Sequence, residues 1–206
     1  MIERVVTSGT FSLDGQDFDV DNNIWVVGDD SEVLVIDAAH DHRPIVEAVR
    51  GRRTVAIIAT HGHNDHLNAA GALAAALDAP VWLHPDDLML WHDVYPERDP
   101  DRALADGVTI AAGGTTLRVI HTPGHSPGGC CLYGEAGGVL FSGDTLFHGG
   151  PGATGRSYSD FPTIIASIRD RLLVLPGSTR VLTGHGEETT IGAEAPHLAE
   201  WVRDHG

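Results

Sequence analysis

The sequence predicts an α/β or α+β fold in which mixed β-sheets are covered by helices. Short apolar runs bounded by Gly, Pro, Asp or Asn recur along the chain, and such runs are typical of strands. Between them, other segments space their apolar residues by three and four, as amphipathic helices do. Strands dominate the first quarter before helices alternate with them, and this order argues against an all-α or an all-β fold.

The predicted elements follow from these runs. Strands are predicted over residues 23–29, 31–38, 54–60, 80–84, 116–120, 130–135, 137–144 and 180–185. Helices are predicted over residues 43–51, 65–78, 85–94, 159–175 and 193–205. The glycine-rich segment 147–160 is predicted to lack regular structure, and long loops of this kind often carry function. The length of 206 residues favours one domain over residues 1–206, with no separate C-terminal helical domain.

Charge and cysteine content limit the partners and the compartment. The net charge of -16 opposes binding to phosphate backbones and anionic membranes, so we expect neither nucleic acid nor a membrane as partner. The two cysteines, Cys130 and Cys131, are adjacent and cannot form a disulfide framework. No signal peptide or apolar span is visible, and we expect a cytoplasmic monomer or homodimer that acts on a small molecule.

A metal-binding pattern follows the third predicted strand. The motif H-x-H-x-D-H places His61 and His63 at the strand end and Asp65 and His66 at the start of the next helix. The pair His61 and His63 and the pair Asp65 and His66 can then face two neighbouring metal positions. Imidazole and carboxylate are the usual ligands of zinc and similar ions. The alternative is a solvated turn in which Asp65 caps the helix.

Three further polar residues each lie at the end of a predicted strand, namely His125, Asp144 and His185. Ligand pockets in open α/β sheets gather at strand ends, so their recurrence there predicts that they join the motif. Neighbouring glycines are expected to let the backbone approach the site closely, and these are Gly124, Gly143, Gly184 and Gly186. Any one of the three polar residues, taken alone, is also compatible with a surface position.

With these residues in order, the sequence resembles the metallo-β-lactamase fold superfamily, and within it the glyoxalase II group of hydroxyacylglutathione hydrolases. The resemblance extends from the strand carrying Asp37 through Gly186. It implies an αββα sandwich of two mixed β-sheets flanked by helices. It further implies that one metal is held by His61, His63 and His125 and the other by Asp65, His66 and His185, with Asp144 as the bridge.

The resemblance also implies a chemistry. Two divalent ions, zinc or else iron or manganese, would lower the pKa of a shared water to about 7 and polarise a substrate carbonyl. Asp65 and Asp144 are the candidate catalytic carboxylates. Asp37 resembles the aspartate that orients the ligand turn in this family, although a turn or helix-cap role is also open. The bridging aspartate argues against a true β-lactamase.

The expected reaction is hydrolysis of a thioester such as S-lactoylglutathione or another acyl-thiol. The chain keeps the family's D-T-L-F at residues 144–147 and Gly155 with Arg156, but it lacks the intervening cysteine. Arg156 is a candidate for binding a substrate carboxylate, with an ordinary surface salt bridge as the alternative. His148, four residues after Asp144, is a second candidate substrate contact.

Two other reactions remain open at this point. A persulfide dioxygenase of similar sequence would hold one iron on the residues corresponding to His61, His125 and Asp144. A lactone hydrolase would use the same pair of metals on a cyclic ester. The larger glyoxalase II enzymes also have a helical C-terminal domain that binds glutathione, and we do not expect it here.

Overall fold

Two six-stranded β-sheets pack face to face, and helices cover both outer faces. The structure is a computed structural model that describes residues 1–204. It confirms the predicted αββα sandwich. The last predicted helix extends to His205, which lies outside the described residues.

The first sheet contains, in spatial order, β1 (Ile2–Leu13), β2 (Gln16–Gly28), β3 (Glu32–Ile36), β4 (Arg53–Ile58), β5 (Val81–Leu83) and β6 (Arg102–Ala103). The first three strands are antiparallel, and β3 to β6 are parallel. The helical elements between its strands are α1 (His42–Val49), α2 (Asn64–Leu67), α3 (Ala70–Leu77), a 3₁₀ turn (Pro85–Asp87) and α4 (Leu88–Val94).

The second sheet contains β7 (Thr109–Ala112), β8 (Thr115–His121), β9 (Cys130–Gly134), β10 (Val139–Gly143), β13 (Arg180–Thr183) and β14 (Thr189–Thr190). Their spatial order is β14-β13-β10-β9-β8-β7, with β10 and β13 parallel. A small hairpin joins β11 (Leu146–Phe147) to β12 (Gly150–Pro151). The helical elements are α5 (Phe161–Ser167), a π-helical segment (Ile168–Leu172), α6 (Ile191–Glu194), a 3₁₀ turn (Ala195–His197) and α7 (Leu198–Asp204). Over residues 1–204, no helix has the length and apolarity that crossing a membrane requires.

Three apolar layers hold these elements together. The layer between the sheets includes Trp25 and Phe141, whose rings meet edge to face at 6.0 Å. The outer layers pack helices against each sheet. Adjacent residues of a strand face opposite sides, so Cys130 joins the central layer and Cys131 an outer one. Burial raises the pKa of both thiols, that of Cys131 to about 11, which suits apolar packing rather than reactivity.

The long hairpin formed by β1 and β2 is the main element that the sequence prediction missed. Its strands pair from Ile2 with Val27 to Leu13 with Gln16, whereas the first predicted strand began at residue 23. Asp14 and Gly15 both have positive φ, as a tight hairpin turn requires. Only residues 25–28 of β2 pair with β3, so the outer half of the hairpin is exposed and its apolar pattern is weak.

Two other predictions need correction. The predicted helix over residues 65–78 is broken at Asn68 and Ala69, because the Ala69 N–H bonds to the Ala38 carbonyl. The segment 147–160 was expected to lack regular structure, but Phe147 pairs with Gly150 in the small hairpin. This hairpin places Phe147 beside the strand ends described below.

Truncation of the central layer tests this packing. Phe141→Ala removes a fully buried ring and is expected to lower the free energy of unfolding by about 3–5 kcal/mol. Urea denaturation of the metal-free protein measures it. Val174→Ala, at a side chain that is 71% exposed, is the control and should change stability by about 0.5 kcal/mol or less. Equal effects of the two changes would contradict the assigned core.

Candidate metal centre

Strand ends from both sheets bring the seven predicted ligand residues to one place. The loop after β4 carries His61 and His63, and α2 carries Asp65 and His66. The second sheet contributes Asp144, which directly follows β10, and His185 just after β13. His125 lies four residues beyond the end of β8, in a turn rather than at the strand end itself.

Three imidazoles form the first half of the site, which we call the imidazole group: His61, His63 and His125. The His63 Nδ1 atom lies 3.0 Å from His61 Nε2 and 3.0 Å from His125 Nε2. His61 and His63 are buried, and His125 is half-buried. Three ring nitrogens therefore point at one small volume.

The second half, which we call the mixed group, consists of Asp65, His66 and His185. The Nε2 atoms of His66 and His185 are 3.1 Å apart, and Asp65 Oδ2 lies 3.3 Å from His185 Nε2. The Asp144 carboxylate lies between the two groups. Its Oδ1 is 3.3 Å from His66 Nε2, and its Oδ2 is 3.4 Å from His185 Nε2 and 3.6 Å from His125 Nε2.

These donor atoms suit divalent cations. Two ligands at 2.0–2.1 Å from a tetrahedral zinc ion are about 3.3 Å from each other, which is close to the spacings seen here. Among the described residues, the buried Asp144 Oδ1 atom has no hydrogen-bond partner. His66 Nε2 lies 3.3 Å from this oxygen without making a hydrogen bond to it, and a cation between the groups would satisfy the oxygen.

The second nitrogen of several rings is held from outside the centre. His125 Nδ1 lies 2.7 Å from the Ala153 carbonyl, and His185 Nδ1 lies 2.8 Å from the Asp21 carbonyl. His61 Nδ1 lies 3.1 Å from Thr60 Oγ1. Such contacts fix the tautomer and the ring orientation, so that Nε2 faces the centre.

Asp37 holds the ligand turn in place. Its Oδ1 accepts the Thr60 N–H at 2.7 Å, and its Oδ2 accepts the Thr60 hydroxyl at 2.9 Å and lies 3.0 Å from His66 Nδ1. The cap of α1 is Asp41, so the helix-cap alternative for Asp37 is wrong. Asp37 has a φ of 60°, a left-handed conformation that places its carboxylate over this turn.

The two halves differ in charge. Burial lowers the pKa of His61 and His63, the latter to about 3, so both rings are neutral. Burial also opposes charge on His66 and His185, but the carboxylates of Asp144 and Asp65 together outweigh it, with Asp37 also contributing at His66. The pKa of His66 is therefore well above its ordinary value, and that of His185 is raised to about 10. Without metal, the mixed group is an ion-paired cluster that holds protons.

Two of the four predicted glycines approach the site. A Cβ on Gly184 would lie 2.4 Å from Asp144 Oδ1, so only glycine fits there. Gly143 has a φ of 48°, and a Cβ on it would lie 2.4 Å from Thr60 Oγ1. The expectation is wrong for Gly124, which packs against the backbone of Ile164, and for Gly186, which faces open space.

The β1–β2 hairpin supplies site residues that the sequence interpretation missed. Asn22 is fully buried, and its Nδ2 donates to Asp65 Oδ2 at 3.0 Å and lies 3.3 Å from His66 Nε2. His40 Nε2 lies 2.8 Å from Asn22 Oδ1 and fixes the amide. Phe11 lies on β1, the other strand of the hairpin, and its ring centroid is 5.1 Å from that of His63. The Asp14–Gly15 dipeptide between alternating residues was the available signal for this hairpin.

A cleft of about 390 Å³ opens onto the centre. Beside ligand residues, its lining comprises Phe11, Val20, Asp21, Phe147 and Ala153. Its wall is thus largely apolar, with polar groups concentrated at the metal centre, as is typical of small-molecule sites.

The two candidate substrate contacts lie outside this lining. Arg156 places its guanidinium 4.5 Å from the ring of Phe18 and 6.0 Å from that of Phe11, and it donates to Gln16 Oε1 at 3.1 Å. Arg156 therefore packs against the β1–β2 hairpin, next to Phe11, which lines the cleft. His148 is exposed in the turn between β11 and β12.

Comparison with known proteins assigns the family. The model of the metallo-beta-lactamase superfamily matches residues 18–185. The chain belongs to this superfamily, whose members are generally metal-dependent hydrolases.

Several relatives cover most of the chain. An uncharacterized protein of Aquifex aeolicus (strain VF5) is 37% identical and covers 94% of each chain. A Bacillus subtilis (strain 168) protein named Probable metallo-hydrolase YqgX is 31% identical, over 84% of this chain and 88% of its own. Hydroxyacylglutathione hydrolase GloC of Haemophilus influenzae (strain ATCC 51907 / DSM 11121 / KW20 / Rd) is 30% identical, over 83% of this chain and 87% of its own.

Solved structures show the same fold. BLEG-1, described as a B3 metallo-beta-lactamase, has a TM-score of 0.80 at 29% identity, over 95% of this chain and 99% of its own. TTHA1623, in a di-iron-bound form, has a TM-score of 0.75 at 35% identity, over 85% of this chain and 93% of its own. A relative at this identity thus accommodates two irons.

The charge difference predicts proton release when metal binds. Because the pKa of His66 and that of His185 are raised, the mixed group holds protons at neutral pH that it must lose to bind metal. Titration of the metal-free protein with zinc in weak buffer, followed with a pH indicator, should release at least one proton per chain. The number of protons released should fall as the pH rises through about 10, the pKa of His185, because that ring is then already neutral. Zinc uptake without proton release would contradict the protonated mixed group.

Proposed function

We propose that the protein hydrolyses a thioester of a small thiol at a centre of two divalent ions, with zinc as the metal. The position of the Asp144 carboxylate carries this proposal, because its oxygens approach His125 of the imidazole group and both histidines of the mixed group. A carboxylate so placed suits a bridge between two ions. The name of the GloC relative supports thioester hydrolysis as the reaction.

The residues have distinct tasks in this proposal. Bound ions would supply a hydroxide nucleophile at neutral pH and polarise the acyl carbonyl. The imidazole group would hold one ion and the mixed group the other. Asp65 and Asp144 neutralise part of the positive charge and hold their oxygens toward the mixed-group histidines. Asp37 and Thr60 keep the ligand turn from moving as substrate binds.

The cleft supports a small acyl-thiol as substrate. Phe11, Val20 and Phe147 form an apolar wall beside the ligands, which would exclude water from the acyl group and contact its hydrocarbon portion. Serine and cysteine nucleophiles are not needed, and Cys130 and Cys131 are buried within the apolar layers.

Hydrolysis of S-lactoylglutathione by the zinc-loaded protein tests the proposal. Asp144→Ala removes the bridge and is expected to lower kcat/KM by about a hundredfold or more. Asp170→Asn is the control, because Asp170 is exposed and pairs only with its neighbour Arg169 in the described contacts, and it should keep wild-type activity.

Three outcomes would contradict the proposal. One is oxygen uptake with glutathione persulfide by protein that holds one iron per chain, which would indicate a dioxygenase. Another is faster cleavage of a lactone or of a β-lactam such as nitrocefin than of any acyl-thiol. The third is unchanged thioester hydrolysis in Asp144→Ala.

We further propose that Arg156 and His148 contact a carboxylate of the substrate at the mouth of the cleft. Arg156→Ala is then expected to raise KM for S-lactoylglutathione about tenfold with little change in kcat. His148→Ala should have a smaller effect in the same direction. Steady-state kinetics with a second acyl-thiol that lacks carboxylates provides the comparison, and its KM should not change.

Arg169→Ala is the matched control for loss of an arginine, since Arg169 is exposed and pairs with Asp170. Equal losses on both substrates in Arg156→Ala would contradict carboxylate binding. Such losses would assign Arg156 to holding the hairpin through Phe18 and Gln16.

A further inference from the structure

Asp87 is a fully buried carboxylate that belongs to neither ligand group. It ends the 3₁₀ turn after β5. Its Oδ2 accepts the Gly62 N–H at 2.7 Å and the Ser126 hydroxyl at 2.7 Å. Its Oδ1 accepts the Gly128 N–H at 2.5 Å. A charged group at this depth is retained only where its hydrogen bonds compensate for the lost hydration.

These three donors belong to the two loops that carry the imidazole group. Gly62 lies between His61 and His63, while Ser126 directly follows His125. Asp87 therefore joins two loops about sixty residues apart in the chain, from a third loop that supplies no ligand. One backbone bond, from Cys130 N–H to the Thr60 carbonyl at 2.8 Å, joins the bases of the same loops.

Both loops have a glycine where Asp87 approaches them. A Cβ on Gly62 would lie 2.8 Å from Leu90 Cβ and 2.9 Å from Asp87 Cβ, and a Cβ on Gly128 would lie 2.7 Å from Asp87 Cγ. Real Cβ atoms do not approach other atoms so closely, so a larger residue at Gly128 would push the carboxylate away, and one at Gly62 would displace Asp87 or Leu90. The glycine inside the H-x-H motif thus makes room for both Asp87 and Leu90.

We propose that Asp87 is a positioning residue for the imidazole group: it sets the spacing of His61, His63 and His125 and thereby the affinity for the ion they hold. The mixed group is held by Asn22 and Asp37, neither of which contacts Asp87 in the described structure, although Asp37 also holds Thr60 beside His61. Loss of Asp87 should therefore weaken one metal site and spare the other. The inference rests on the two-ion centre of the proposed function but not on any substrate.

Zinc affinity of the metal-free protein tests it. Asp87→Asn exchanges one acceptor oxygen for an amide NH₂, which cannot accept from the loop donors. Competition with a chromophoric chelator should show one of two zinc dissociation constants raised by about 10–100-fold and the other unchanged. Asp101→Asn is the matched control, because Asp101 also accepts a backbone N–H, that of Val81, away from both ligand loops. It should bind zinc as the wild type does.

Histidine ring ¹H–¹⁵N spectra identify the affected site. At a free zinc concentration that fills only the tighter site of Asp87→Asn, signals of the imidazole group should lack their metal-bound shifts, while those of His66 and His185 keep them. Gly128→Ala is the second variant and should produce the same selective loss by displacing the carboxylate. The proposal would be overturned if the soluble variants left both zinc dissociation constants unchanged or raised both equally. Since no substrate is involved, failure of the thioester assay would leave this result standing.

Discussion

Contacts between the ends of the two sheets are what the rest of the site depends on. The Asn23 N–H of β2 bonds to the Gly184 carbonyl at 2.7 Å, and the Trp25 indole donates to the Thr183 carbonyl at 3.1 Å. The Cys130-to-Thr60 bond links the sheets in the same way. Because both sheets end at this edge, five imidazoles and two carboxylates meet there on rigid supports.

Collecting so many polar groups in a buried place is costly unless they are paired. The protein reduces this cost with contacts from outside the centre, through Asp37, Asn22 and backbone carbonyls. Among the described residues of the centre, two buried polar atoms still have no hydrogen-bond partner, namely Asp144 Oδ1 and His63 Nε2. Metal binding and folding are then linked, because ions that bind the folded centre stabilise it.

The hairpin connects the metal chemistry to substrate choice. Its inner half supplies Asn22, while its outer half supplies Phe11 and Val20 to the cleft. The stacking of Arg156 on Phe18 joins the glycine-rich segment to the same hairpin. Changes in either segment would alter the cleft without altering the ligands, which is how one metal centre can serve different substrates.

The sequence predicted the fold class and the residues that converge on the centre, because ligand chemistry and strand ends both leave local patterns. His61, His63, Asp65 and His66 lie in one short motif. Asn22 and Asp87 were not predicted, since each acts through a contact with residues distant in the chain. An isolated Asn or Asp has no spacing that identifies such a contact. The first hairpin was missed for a related reason, because its exposed half lacks an apolar face.

The central claim is that one chain holds two ions at these two groups. Anomalous diffraction at the zinc edge, from crystals grown with excess zinc, tests it most directly. The account predicts two peaks about 3.5–4 Å apart, one within reach of the imidazole group and one within reach of the mixed group, with Asp144 between them. A single peak at full occupancy, or zinc bound elsewhere while these groups stay empty, would contradict it.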